Sequence, residues 1–227
     1  MARHLVMTEA DHARLTAAVH AAEGGTSGEI VTIVADHSDR YLDVALWWSI
    51  FVAILALAAL AAVPDLIFAK VEGLLGGWVN EWSRAEIVEM ALALVVLTFA
   101  GVRLLMQWVP LRLFLTPAIV KSRRVRRRAV RYFKVGAERR TVGKTGILIY
   151  LSLSERKAEI VADEAIHALV PQEAWGEAMA DLIAGVREGR LADGMIAAVD
   201  DVGAILAKNF PRSTEDRNEL PDRLIEL

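Results

Sequence analysis

The sequence predicts an α/β protein: a small mixed β-sheet flanked by helices and interrupted by a two-helix transmembrane hairpin. Three observations carry this. Apolar residues make up 55% of the 227, yet 24% are charged, so the two fractions belong to different segments. Two long, mostly apolar runs, residues 44–63 and 90–109, are each long enough to cross a hydrocarbon core of about 30 Å as a helix. The polar stretches on either side alternate amphipathic helices with β-branched strand-length runs, and neither stretch can bury a core alone.

In chain order, residues 8–22 read as a helix. Thr8 and Asp11 have capping-box spacing, Leu15, Ala18, Val19 and Ala22 form its apolar face, and Gly24-Gly25 ends it. Residues 29–36 (EIVTIVAD) read as a strand. The run at 44–63 carries no charge, and that at 90–109 carries one, Arg103. Trp47 and Trp48 open the first run, Trp78 and Trp82 precede the second, and Trp108 closes it, as expected of rings that settle at a headgroup zone. Arg103 is placed to snorkel toward the interface at Trp108. Residues 64–89 read as the connecting loop.

Pro110 and Pro117 punctuate the exit from the hairpin. Residues 118–134 read as a basic helix with Val125, Ala129 and Phe133 on one face. Residues 146–154 and 157–162 read as two strands of a hairpin turning at Glu155-Arg156. Pro171 opens a helix whose stripe is Ala174, Trp175, Ala178, Met179, Leu182, Ile183 and Val186. A last helix spans about 191–209, with Met195, Ile196, Val199, Val202 and Leu206 inward. The tail from Pro211 is polar and without periodicity. The expected organisation is therefore one domain in two parts, 1–43 and 110–210, around the hairpin 44–109, with a tail at 211–227.

Charge sets the expected orientation. The net charge of -3 averages a basic stretch, ten Lys/Arg with Glu138 alone at 121–140, and an acidic remainder of 16 basic against 28 acidic residues. Basic residues close behind a span favour the cytoplasmic side, and two spans return the chain to the side it left. A cell-membrane protein with both termini cytoplasmic is expected, and no signal peptide is visible. The absence of Cys excludes disulfide scaffolds, Cys zinc sites and thiol nucleophiles. The apolar fraction excludes a disordered chain.

Several residues in order and spacing resemble the TPM-domain family. They are Thr26-Ser27-Gly28-Glu29-Ile30, then Arg128-Ala129 with Phe133 and Gly136, then Thr141 and Thr145-Gly146-Ile147-Leu148. Glu155-Arg156, Glu159 to Asp163 and Trp175 follow, and Phe210-Pro211 with Asn218-Glu219-Leu220-Pro221-Asp222 resembles the ending of a bacterial membrane-protein branch. The resemblance covers both polar parts and leaves out the hairpin. It implies a TPM-like mixed sheet flanked by helices. It also implies one of several roles. The family includes a thylakoid member assigned acid phosphatase activity, auxiliary or assembly partners of membrane proteins, and members that bind divalent cations. Ala162-Asp163 departs from the family's frequent Gly-Asp.

Candidate chemistry follows from topology. If the first two strands are parallel and the third antiparallel to the second, Thr26, Ser27, Glu29, Thr145, Asp163 and Glu164 gather at one end of the sheet. Oxygen donors of this kind suit calcium or another hard divalent cation, with Asp163, Glu164, Glu29 and Thr145 as ligands. They equally suit a solvated sheet end with capping hydroxyls. Val142-Gly143-Lys144-Thr145 mimics the end of a phosphate-binding loop, but Glu138 stands where the loop needs its first glycine, and a strand follows. No HExxH or G-x-S-x-G pattern occurs. The basic patch Lys121, Arg123, Arg124, Arg126, Arg127, Arg128 and Arg131 suits anionic lipid headgroups beside a span. Tyr132 and Phe133 are too few aromatics for nucleic-acid binding. The expected function is interaction with, or assembly of, other membrane proteins, with self-association open. The alternative is a cation-dependent phosphatase.

Overall fold

A computed structural model of the protein describes residues 7–74, 82–136, 145–212 and 223–227. In chain order the elements are α1 (Glu9–Glu23), β1 (Glu29–Ala35), α2 (Leu42–Ala62), α3 (Pro64–Leu74), α4 (Arg84–Leu105), α5 (Val109–Phe114), α6 (Ala118–Gly136), β2 (Gly146–Ser152), β3 (Lys157–Ala162), α7 (Glu164–Leu169), a 3₁₀ turn (Gln172–Trp175), α8 (Gly176–Arg187), α9 (Leu191–Asn209) and β4 (Ile225–Glu226). They form two compact units, residues 1–39 with 118–227, and residues 40–117. Trp78, Glu138, Thr141, Val142, Gly143, Lys144 and the 218–222 stretch lie outside the described residues.

The first unit is built on a mixed sheet of order β3-β2-β1-β4. β1 and β2 are parallel, Glu29 opposite Gly146 through Ala35 opposite Ser152, and β2 and β3 are antiparallel. Every residue of β1 and β2 is buried, because helices cover both faces. Ile30, Val34, Ile147, Ile149 and Leu151 pack with α1, α8 and α9 around Leu15, Val19, Leu182, Met195, Val199, Val202 and Leu206. The alternate side chains, Val31, Ile33, Ala35, Leu148 and Tyr150, pack on the stripe Val125, Ala129 and Phe133 of α6. The period of two along each strand thus separates the cores.

The helices on the larger face approach closely through small residues. A Cβ added at Gly185 would lie 2.6 Å from the Gly194 Cα, and one at Gly203 would lie 2.7 Å from the Ala22 Cβ. α8 ends in a Schellman motif: Gly189 takes φ 76°, and the Arg190 N–H reaches the Gly185 carbonyl at 2.8 Å. α9 begins immediately afterwards.

α1 carries the expected capping box, with Thr8 and Asp11 bonding reciprocally. Other local readings change. The strand read as 146–154 stops at Ser152, and the turn residue Glu155 points inward and is buried. Pro171 caps a 3₁₀ turn rather than opening α8 directly. The tail supplies β4, which lies parallel to β1 with Ile33 opposite Ile225. Two residues are too few to show a periodicity in sequence.

In the second unit, α2 packs along α4. Both helices are long and apolar enough to cross a membrane. α4 starts at Arg84 because Ser83 and Glu86 form a capping box, and it ends at Leu105, short of the 109 boundary. Pro110, with no N–H and a ring that clashes with the carbonyl four residues back, forces a break, and α5 begins with it in the first turn. α3 occupies part of the stretch read as loop; Pro64 at its first position is preset for a helix.

Candidate functional site

Parallel pairing of β1 with β2 brings their N-terminal ends together, and antiparallel β3 brings its C-terminal end beside them. Glu29, Thr145 and Asp163 therefore converge, all buried, as the strand order predicts. The Thr145 hydroxyl donates to the Ser27 carbonyl at 2.8 Å, and the Glu29 N–H donates to the Thr145 carbonyl at 3.2 Å. Asp163 Oδ2 accepts the Gly146 N–H at 3.0 Å, while the Asp163 N–H donates to the Gly146 carbonyl at 2.9 Å. The hydroxyl of Thr26 donates to the Phe210 carbonyl at 2.6 Å and accepts the Gly28 N–H at 3.0 Å. Glu164, the first residue of α7, is exposed and stands apart from this buried set.

Sequence reasoning missed Glu23. The last residue of α1, it is buried, and its Oε1 accepts the Ile30 N–H at 2.8 Å. The sequence offers only a carboxylate directly before Gly24-Gly25; its inward direction comes from the packing of α1 on β1. The sheet end thus holds three buried carboxylates and two buried threonines; Glu23 and Asp163 accept backbone N–H groups, and the Thr26 and Thr145 hydroxyls donate to backbone carbonyls. Among the described residues, no three Asp, Glu or His side chains stand close enough together to hold a metal ion.

The opposite sheet end carries a second polar network. Glu155 Oε1 accepts the Ser38 N–H at 3.0 Å, and its Oε2 accepts the Ser152 hydroxyl. The Ser38 and Tyr150 hydroxyls lie 3.0 Å apart. Burial holds the Tyr150 phenol above its ordinary range, partly offset by the Ser38 hydrogen bond. This network ties the chain leaving β1 to the β2–β3 turn.

The basic patch divides in two. Arg124 pairs with Asp39 at 3.0 Å, and Arg126 pairs with Glu159 at 3.6 Å. Burial raises the Glu159 carboxyl above its usual range, and Arg126 and Lys157 pull it back. The Arg128 guanidinium lies 4.8 Å from the Tyr132 ring centroid, whose ring is in turn 6.0 Å from Tyr150. Lys121 is half-buried, whereas Arg123, Arg127 and Arg131 are exposed, as is Lys134, which the sequence-based patch omitted.

Comparison with known proteins agrees with the fold. The TPM domain family model matches residues 115–205, from the end of the second unit to within α9. The chain is similar in structure to the BA42 protein of the psychrophilic bacterium Bizionia argentinensis, solved by NMR, with a TM-score of 0.55 at 16% identity over 97% of this chain and 95% of that one. No curated protein matches the chain. The chain carries a TPM domain, and its α/β fold is TPM-like.

Proposed function

We propose that this TPM-domain chain is an integral membrane protein of two spans, α2 and α4, whose split domain serves as an interaction or assembly factor for other membrane proteins. The observation that carries the reading is the surface of the second unit. None of the apolar window of α4 is buried, and Leu92, Val96 and Leu97 are exposed, as are Trp47, Phe51, Ile54 and Leu55 on α2. A core helix of a soluble domain buries its apolar face, whereas a span faces lipid over most of its circumference. The even number of crossings keeps both parts of the domain on one side, and the ten Lys/Arg at 121–140 favour the cytoplasmic side.

Carbonate extraction and protease accessibility in sealed vesicles test the anchor. The chain is expected to stay with the membrane, and the 121–140 region to be cut only from the cytoplasmic face. Release by carbonate overturns the anchor, and cutting from the outer face reverses the topology. Affinity purification from mild detergent, with mass spectrometry, tests the assembly role. One stoichiometric membrane partner supports it, and recovery of the chain alone or only with itself counts against it.

A second reading, a divalent-cation-dependent phosphatase, rests on Asp163, Glu29 and Thr145 sharing one buried sheet end. Hydrolysis of a chromogenic phosphate that needs added cation and is lost in Asp163→Ala, with the fold retained, would favour it. Equal background hydrolysis in both proteins would remove it.

A further inference from the structure

The seven cations first grouped as one patch are not equivalent. Arg124, Arg126 and Arg128 face Asp39, Glu159 and the Tyr132 ring. Arg123, Arg127 and Arg131 recur every four residues and Lys134 follows three later, so the four form one row along α6. The row lies opposite Val125, Ala129 and Phe133, which fix the helix on the sheet, so it points outward by construction. All four are exposed, and none has an ion-pair partner among the described residues. The row extends about 16 Å at the helical rise per residue. Like charges four residues apart repel one another on an isolated helix, so a counter-charge outside the domain is what favours this arrangement.

We propose that this row, Arg123, Arg127, Arg131 and Lys134, lays α6 on anionic phospholipid headgroups. The proposal rests on the two-span reading above. Three features favour a lipid surface over a nucleic acid or an acidic protein. The row is a straight line of charge that requires no shaped partner. Its neighbouring aromatics are committed elsewhere, Phe133 to the core and Tyr132 beneath Arg128, so no stacking platform accompanies it. Ala118, the first residue of α6, directly follows Pro117, the last residue of the apolar unit, so the tether holds headgroups at high effective concentration. Each near-surface cation is worth about a fivefold gain in association with an anionic leaflet.

The test uses the full chain. Because the sequence has no Cys, Val135→Cys gives one label position, exposed at the far end of α6. It lies about 25 Å along the helix from Ala118, so its approach to lipid reports the helix lying down and not the tether alone. The bimane-labelled protein is placed in nanodiscs of phosphatidylcholine, or of phosphatidylcholine with phosphatidylglycerol. Both contain the same fraction of a headgroup-nitroxide phosphatidylcholine quencher. Quenching is expected to rise at least twofold with phosphatidylglycerol, and to fall back at 1 M salt, where the screening length is about 3 Å. The gain should vanish when Arg123→Gln, Arg127→Gln, Arg131→Gln and Lys134→Gln are combined, and persist in Arg126→Gln. Quenching that is equal in both discs overturns the proposal while leaving the anchor intact. Failure of the chain to enter either disc overturns both. Tight binding of an oligonucleotide or an acidic peptide by the row in phosphatidylcholine discs, with no lipid dependence of quenching, replaces lipid with that partner.

Discussion

Two glycines of α8 should respond differently to the same substitution. At Gly185 a new Cβ would stand 2.6 Å from the Gly194 Cα, 2.9 Å from its N and 3.0 Å from the Arg190 carbonyl oxygen. All three neighbours are backbone, so no side chain can rotate away, and the shortest contact falls about 0.8 Å below an ordinary 3.4 Å approach. Overpacking of this kind costs about 1–3 kcal/mol, and rigid neighbours place it at about 3. Alanine regains about 1 kcal/mol of helix propensity over glycine, leaving a net loss of about 2 kcal/mol. At about 2–4 °C per kcal/mol for a domain of this size, Gly185→Ala should melt about 4–8 °C lower. Gly176, at the start of the same helix, has nothing within 4 Å of its would-be Cβ, so Gly176→Ala should hold or raise the melting temperature. Thermal denaturation of both variants in one detergent is the assay. A Gly185→Ala protein as stable as the wild type would refute the idea that α8 and α9 meet backbone to backbone.

Asp163→Ala removes the acceptor of the buried Gly146 N–H and should cost about 1–3 kcal/mol; added calcium stabilising the wild type but not the variant would further assign a cation to this carboxylate. Tyr150 is held above its ordinary ionisation range near 10 by burial, so the unfolded state loses that proton first. Its contribution to stability is full below pH 10 and is lost as pH rises through the higher folded value. A wild-type minus Tyr150→Phe stability difference that is flat across that range would contradict the burial assignment. Truncation after Arg223 removes buried Leu224 and the β4 pairing, exposing the edge of β1. Lower stability and concentration-dependent aggregation are expected by melting and light scattering, and unchanged behaviour would show the strand to be dispensable.

Much of this molecule was legible because its segments have long, strong periods. The stripe on α6, the run of α9 and the alternation of β1 and β2 each repeat often enough to reveal their buried side. The candidate sheet end was legible in part, since Glu29, Thr145 and Asp163 follow from strand order alone. Glu23 was not, because its inward direction depends on how α1 meets β1. Glu155 was read as a turn residue, yet it accepts hydrogen bonds from Ser38 and Ser152 across the sheet end. Ser38 lies more than one hundred residues away in sequence.

The sequence by itself determined where apolar and charged residues segregate, hence the two helices able to span a membrane, the split of the domain and the three principal strands. These follow from composition and local repeat, which act over one or two turns of chain. Only the tertiary structure decided the docking of β4 on β1, the backbone contact of Gly185 with Gly194, and the division of one basic run into paired cations and an outward row. Each depends on which distant groups become neighbours, and chain closure, rather than local preference, sets that.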